Sequence, residues 1–456
     1  MALEPSEVFT AAACCFAKPY LEKAQRSVAE MLMFFVDASK VAASKEVVFA
    51  ENRTQFLKFF ENPLANPNNV IDMARGISAA IAIQNWIKNT HKVHNPVAHR
   101  VFMTGNVWPE KVKHLAISHK GFQAYNSSDL IVQPYGMRKG FYGVSLKKKP
   151  KPDDPDPTMI NKAFDTIMVG KEFDAMKNEL EKERETYFAG LVREAAKLKL
   201  INLDTSGRSD ASLFKPTKKR RNEEGFERIY IDTKGSMKMP EIWGPNDTEE
   251  KSMWGKAKEP GWDFYGDSKL GRSELRSRTD TMRNWVNEQL GKQNNPLYAK
   301  FLKIMNANAE MFAKNLINLT LKTDLPKLMK EKKLGDMKFG FALVTGLGSG
   351  TKGKKLYEEK GKIEKYNAHA YDIDCVLKGL SHLDDAATKY SFVVTNKETE
   401  SDDEQGAAKI YFDLRKGRIT IMNMELRYKG GFGSQPQFFG TMSKQFKEVL
   451  RGKCVH

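Results

Sequence analysis

Tyr125-Asn-Ser-Ser-Asp129-Leu-Ile-Val132, followed after a short gap by Gly140-Phe-Tyr-Gly-Val-Ser145-Leu-Lys147-Lys-Lys149, is the stretch on which the reading of this chain turns. Asp129-Leu-Ile-Val is apolar and β-branched, and Phe141-Tyr-Gly-Val-Ser-Leu is a largely apolar run. Pro134-Tyr-Gly-Met-Arg-Lys-Gly140 between them is turn chemistry, so the pattern predicts two strands joined by a turn. Side chains alternate along a strand, so Ser145 and Lys147 share a face. An Asp entering one strand and a Lys leaving the next can lie on the same side. The hairpin is therefore expected to gather a carboxylate, a hydroxyl and an ammonium at one end.

This arrangement resembles the PD-(D/E)xK nuclease superfamily, with its restriction-endonuclease-like fold. In that family an Asp opens the second strand and an acidic-x-Lys triplet lies on the third. Two positions depart from the pattern: Ser128 stands where the family has Pro, and Ser145 stands where it has the acid. A minority of restriction enzymes in the superfamily also carry Ser-x-Lys and draw the missing carboxylate from a following helix. The resemblance spans residues 90–190 and says little about the rest.

Phosphodiester cleavage needs a hard divalent cation held by carboxylate and carbonyl oxygens. The resemblance implies Mg2+ or Mn2+ with Asp129 as principal ligand and the Leu146 backbone carbonyl as another. Lys147 would orient or help deprotonate the attacking water and offset charge on the scissile phosphate. Ser145 is neutral and cannot replace a charged ligand. The second carboxylate is expected from the following helix, with Asp165 first and Glu172 in reserve. A plain hairpin with an exposed Asp and a solvated lysine run carries the same short pattern.

Composition bounds the partner. The chain has 456 residues, 74 Lys and Arg against 57 Asp and Glu, and a net charge of +17. Such a balance favours a polyanion, nucleic acid before membrane. The aromatic fraction of 10% and hydrophobic fraction of 41% are higher than a purely electrostatic binder needs and allow real cores. No apolar run reaches the length of a membrane span. Glu4 and Glu7 come early, unlike a signal peptide. Cys14, Cys15, Cys375 and Cys454 form no CxxC pair or zinc spacing, and a reducing compartment fits them. The eight histidines show no metal-site spacing. The expected place is the cytoplasm, or the nucleus of a eukaryotic host given the Lys218-Lys219-Arg220-Arg221 cluster.

Along the chain, residues 6–45 carry helical periodicity divided at Pro19, and Val70–Asn89 is a second helix. Val101–Thr104 is a short strand, so a helix and three strands come in the order the nuclease core requires. Lys148, Lys149 and Lys151 lie in a Pro-rich linker suited to a phosphate backbone or simply to solvent. A helix capped by Thr158 is expected from Met159 to Lys171. Residues 204–275 are polar, with Trp243, Trp254 and Trp262 among lysines and glycines, as unpaired bases or an irregular insert would want. Leu297–Leu321 is an amphipathic helix. Strands are expected at Phe339–Thr345, Tyr390–Thr395, Lys409–Asp413 and Arg418–Asn423, and a closing helix at 435–451.

Two glycine-rich stretches invite a ligand. Gly348-Ser-Gly-Thr-Lys-Gly-Lys354 fits GxxxxGK, but Lys355 stands where a P-loop has its hydroxyl, so contact with nucleic-acid phosphates is the better expectation. Arg427, Lys429, Gln435 and Gln437 are base-edge and phosphate readers by type and flank glycines that permit close approach.

The fold expected is α/β: a restriction-endonuclease-like core, a mixed sheet flanked by helices, over 1–203; a basic irregular insert over 204–275; and a C-terminal α/β region over 276–456. Whether Phe339–Thr345 belongs to the core sheet is left open by the sequence. The function expected is a metal-dependent endonuclease acting on DNA, double-stranded by preference, restriction-enzyme-like or viral, with a homodimer allowed. The alternative is a non-catalytic nucleic-acid-binding protein with a degenerate nuclease core, and an RNA endonuclease would use the same hairpin chemistry.

Overall fold

The computed structural model describes residues 3–50, 53–63, 66–147, 160–198, 206–207, 209–210, 226–229, 242–245, 289, 295–331, 337–348, 350–381, 389–395, 409–427, 437–450 and 454–455. The chain begins with α1 (Pro5–Cys14), α2 (Lys18–Ala24) and α3 (Val28–Ala43). Next come β1 (Val47–Val48), α4 (Arg53–Leu57), α5 (Pro67–His91), β2 (Ala98–Met103), β3 (Leu130–Pro134) and β4 (Gly140–Leu146). β5 (Ile160–Ala163), α6 (Phe164–Ile167), α7 (Asp174–Lys197), β6 (Phe226–Ile229) and β7 (Ile242–Pro245) follow. Then come α8 (Pro296–Ala307), α9 (Ala309–Leu321), α10 (Leu325–Glu331), β8 (Lys338–Thr345), α11 (Gly350–Lys360), β9 (His369–Asp372) and α12 (Ile373–Ser381). The chain closes with β10 (Tyr390–Val394), β11 (Lys409–Lys416), β12 (Ile419–Arg427), β13 (Gln437–Met442) and α13 (Lys444–Leu450).

Local chemistry accounts for the helix boundaries. Pro19 lies in the first turn of α2, where its missing N–H costs nothing. Ser27 caps α3 by accepting the Glu30 N–H, and Asn66 caps α5 by accepting the Asn68 N–H, with Pro67 next. Gly76 lets α5 approach α1 closely, because a β-carbon there would collide with the backbone of Phe9 and Thr10.

The contacts divide the chain into two interleaved units. The first takes residues 1–159, 317–388 and 441–456. The sequential partition expected at 203 and 276 therefore gives way to a discontinuous one. Its sheet runs β1-β2-β3-β4-β8-β9. β1 is parallel to β2, and β2, β3 and β4 form an antiparallel meander. β8 lies parallel to β4, and β9 is antiparallel to β8. So Phe339–Thr345 does join the sheet that holds the hairpin.

The sheet is mixed and flanked by helices. Leu130, Val132, Val144 and Val344 pack with Phe9, Ile77 and Trp86 of α1 and α5. Each fully buried side chain of this size contributes on the order of 1.5–3 kcal/mol. On the same side, Trp86 Nε1 donates to the buried Asp372 carboxylate at 2.7 Å. The opposite side carries Phe102, Ile131, Phe141, Phe341 and Leu343, all buried. A 3-10 turn over Glu110–Leu115 lies on that side, with Lys111 over the Phe102 ring and His114 edge-on to Phe141.

The second unit takes 160–316 and 389–440. Its sheet runs β10-β11-β12-β13-β5. Phe312 of α9 packs against Phe392 and Phe438 there.

Three expectations are corrected. Met159–Lys171 does not open as a helix: Ile160–Ala163 is a strand antiparallel to β13, and only Phe164–Ile167 is helical. A strand partner overrides the helical spacing of Ile160, Phe164 and Ile167. Residues 435–451 likewise divide into strand β13 and helix α13, since Gln437-Phe-Phe-Gly440 pairs along β5 before Ser443 caps the helix. Cys375 and Cys454 are joined in a disulfide, which spacing 79 residues apart gave no reason to expect, while Cys14 and Cys15 are free. Among the described residues no helix is long and apolar enough to cross a membrane.

Candidate functional site

The approach to β3 is fixed before Asp129 is reached. Asn126 Oδ1 accepts both the N–H and the hydroxyl of Ser128, at 3.1 and 2.6 Å, and its amide donates to the Leu115 carbonyl. This is the local turn Asn forms readily. The Thr104 hydroxyl donates to the Ser128 carbonyl. Gly143 of β4 leaves room for Ser128, whose hydroxyl fills the space a β-carbon would take. The Asp129 N–H then donates to the Val144 carbonyl at 2.7 Å, starting the ladder.

Register places Leu130 opposite Val144, so Asp129 faces Ser145 on the same side of the hairpin. Asp129 Oδ2 accepts the Ser145 hydroxyl at 3.2 Å and the Leu146 N–H at 2.5 Å. A strand residue points its N–H and C=O toward the same neighbour, so the Leu146 carbonyl is directed to the Asp129 side. Lys147, just beyond β4, is anchored by its N–H to the Val344 carbonyl at 2.8 Å. Ser145 is fully buried, whereas Asp129 and Lys147 are half-buried.

The electrostatics are divided. Burial pushes the Asp129 carboxyl above the usual carboxylate range, and the charge of Glu4 pushes the same way. The Lys147 ammonium, the Leu146 N–H and the Ser145 hydroxyl pull it back. Glu4 is the N-cap of α1, in a reciprocal capping box with Glu7. The acid whose charge reaches Asp129 thus comes from ahead of the first helix. The sequence signalled only a helix start there, and nothing along the chain ties Glu4 to residue 129.

The other expected site residues belong to the second unit or lie outside the described residues. Asp165 lies on α6 with its side chain outside the described residues, and Glu172 is exposed in the 3-10 turn Lys171–Phe173. Both belong to the second unit. Arg427 ends β12 and Gln437 opens β13, also in that unit. Lys148, Lys149, Lys151, Lys218, Lys219, Arg220, Arg221, Lys429 and Gln435 lie outside the described residues. The same holds for Trp254 and Trp262, whereas Trp243 is in β7. The Gly348–Lys354 stretch follows β8 and opens α11, with the Leu347 and Gly348 carbonyls held by the Arg75 guanidinium at 3.0 Å each.

A divalent cation fits what is present in part. The charge of Glu4 disfavours that of Asp129, and a cation would relieve this. Among the described residues no three His, Cys, Asp or Glu form a cage. Mg2+ is commonly held by one or two carboxylates with water and substrate phosphate completing the shell.

Comparison with family models, with curated proteins and with solved structures yields no match.

Proposed function

We propose that the chain is a metal-dependent endonuclease that hydrolyses phosphodiester bonds of DNA, with the Asp129–Lys147 hairpin as its catalytic site. The observation that carries the reading is the convergence of Ser145 and Leu146 on the Asp129 carboxylate, with the charge of Lys147 also acting on it. The order α5, β2, β3, β4, with Asp129 opening β3 and Ser145-x-Lys147 on and just past β4, supports it as well.

Asp129 and the Leu146 carbonyl would hold Mg2+ or Mn2+, with Glu4 as the further carboxylate in place of an acid from the region after β4. The ion supplies charge to offset the phosphate and acidity to bound water. Lys147 steadies the attacking water and the developing negative charge, and its ammonium keeps Asp129 toward the ionised form. Ser145 fixes the carboxylate's orientation through Oδ2. The net charge of +17 suits a polyanionic substrate.

Incubation of supercoiled plasmid with Mg2+ or Mn2+, with and without chelator, tests the reading. Nicked or linear product that vanishes with chelator is expected. Shifted but uncut plasmid under every metal condition would instead favour the non-catalytic nucleic-acid-binding protein, a reading that the absence of an acid at Ser145 keeps in play.

A further inference from the structure

At the far end of the hairpin, two cations from separate segments, Arg100 and Lys111, flank one buried amide, and that amide also holds the backbone of the turn carrying Arg138. Gln133 of β3 is 3% exposed. Its Nε2 donates to the Met137 and Arg138 carbonyls at 3.3 and 2.8 Å, and its Oε1 accepts Lys111 Nζ at 3.2 Å. Gln133 thereby pins both the turn that carries exposed Arg138 and the ammonium of Lys111. Lys111 also lies over the Phe102 ring, 5.7 Å from its centre. Arg100 joins them through an irregularity of the ladder. Ala98 pairs with Pro134 but Arg100 pairs with Gln133, so the register shifts at His99. Bulges of this kind re-aim side chains, and this one sets Arg100 directly beside Gln133.

Among the described residues, none of Arg100, Lys111 and Arg138 makes an ion pair. Glu110, next to Lys111, is paired with Lys113 at 3.5 Å. Burial and the charge of Arg100 hold the Lys111 ammonium below the usual lysine range. Arg100 and Lys111, like charges set side by side at a buried amide without an acid, are an arrangement that an anion stabilises.

We propose that Arg100, Lys111 and Arg138 form a phosphate-gripping site for the nucleic-acid backbone, on the same face of the hairpin as Asp129. Its ligand class rests on the nuclease reading. Asp129 and Gln133 are four residues apart on one face of β3, about 13 Å at ~3.3 Å per residue. That is about four base-pair steps of duplex. Buried Phe102, Ile131 and Phe141 lie between the two on this face, so the site would hold a phosphate beyond that covered stretch and not beside Asp129.

The test is binding of a fluorescent DNA duplex by the full-length chain in chelator, from roughly 50 to 200 mM salt. The Arg100→Ala/Lys111→Ala variant should bind about tenfold more weakly at the low-salt end. Its log–log salt slope should be shallower by about two, since each phosphate contact contributes about 0.9. Lys111→Gln, which keeps a donor for Gln133, should lose about one unit of slope with an unchanged melting temperature, so it decides the matter if the double variant fails to fold. Wild-type affinity and slope in a folded Lys111→Gln chain would overturn the proposal. Cleavage separates the two readings. If the plasmid is never cut but the slope falls, the grip stands and the nuclease reading fails. If the plasmid is cut and the slope is unchanged, the grip fails alone.

Discussion

The Asp129 carboxylate accepts the backbone N–H of Leu146 at 2.5 Å, a residue whose carbonyl is directed to the same side. One side chain thus closes the end of the β3–β4 ladder and presents a carboxylate beside the carbonyl that the nuclease reading needs. Asp129→Ala should therefore cost stability as well as activity. Its removal leaves the buried Leu146 N–H unpaired, at roughly 1–3 kcal/mol, and chemical denaturation at a pH where Asp129 is protonated should show a loss of that order. An unaltered midpoint would mean that the bond does not hold the hairpin.

Gly143 tests the packing beneath the site. The Ser128 hydroxyl occupies the volume of a residue-143 side chain, so Gly143→Ala must displace Ser128 and with it the entry to Asp129. Overpacking of this kind costs about 1–3 kcal/mol. Thermal melting should show the loss, and Gly143→Ala combined with Ser128→Gly should recover most of it. Failure of the second change to recover stability would separate Gly143 from Ser128.

The pH dependence follows from the raised carboxyl of Asp129. The folded chain holds this proton more tightly than an unfolded one. Its contribution to stability is present at low pH and is lost as pH rises from the ordinary carboxylate value through the raised one. Activity runs the other way, since metal binding needs the ionised form. The acid limb of the pH–rate profile should lie above the ordinary value of about 3.9. Glu4→Gln should move that limb down, because the Glu4 charge raises it. A limb at or below the ordinary value, or one that Glu4→Gln leaves in place, would contradict this account.

The disulfide Cys375–Cys454 ties the C-terminal segment to α12, and at the adjoining end of β9 the Asp372 N–H donates to the Cys454 carbonyl at 3.1 Å. It closes a loop across a separation of 79 residues. Constraint of an unfolded loop that long contributes up to about 4–5 kcal/mol. Reductant, or Cys454→Ser, should lower the melting temperature measurably. Equal melting with and without reductant would show that the bridge adds nothing in solution.

The hairpin was legible because everything that defines it is local: alternation, a turn with two glycines, and a spacing that brings Asp129 opposite Ser145. α5 starts at Pro67, three residues ahead of the Val70 that the apolar spacing marked, whereas the break at Pro19 was legible for the same reason as the hairpin. β8 as a neighbour of β4 was not, because parallel pairing leaves no turn and its partner lies across a long insertion. Ile160–Ala163 misled because a four-residue strand also satisfies helical spacing when the following residues are apolar. Glu4 was missed because its effect on Asp129 is through space, and Arg100 because a register shift, not the sequence, decides which way it points.

The most direct test of the catalytic reading is single-turnover plasmid cleavage in Mg2+ by the wild-type chain and by Asp129→Asn, which keeps the size of the side chain and removes its charge. The account predicts metal-dependent cutting by the wild type and a loss of roughly 100-fold or more in the variant, the order seen when one charge-stabilising group is removed from an active site, with duplex binding retained. Cleavage by Asp129→Asn at the wild-type rate would contradict it.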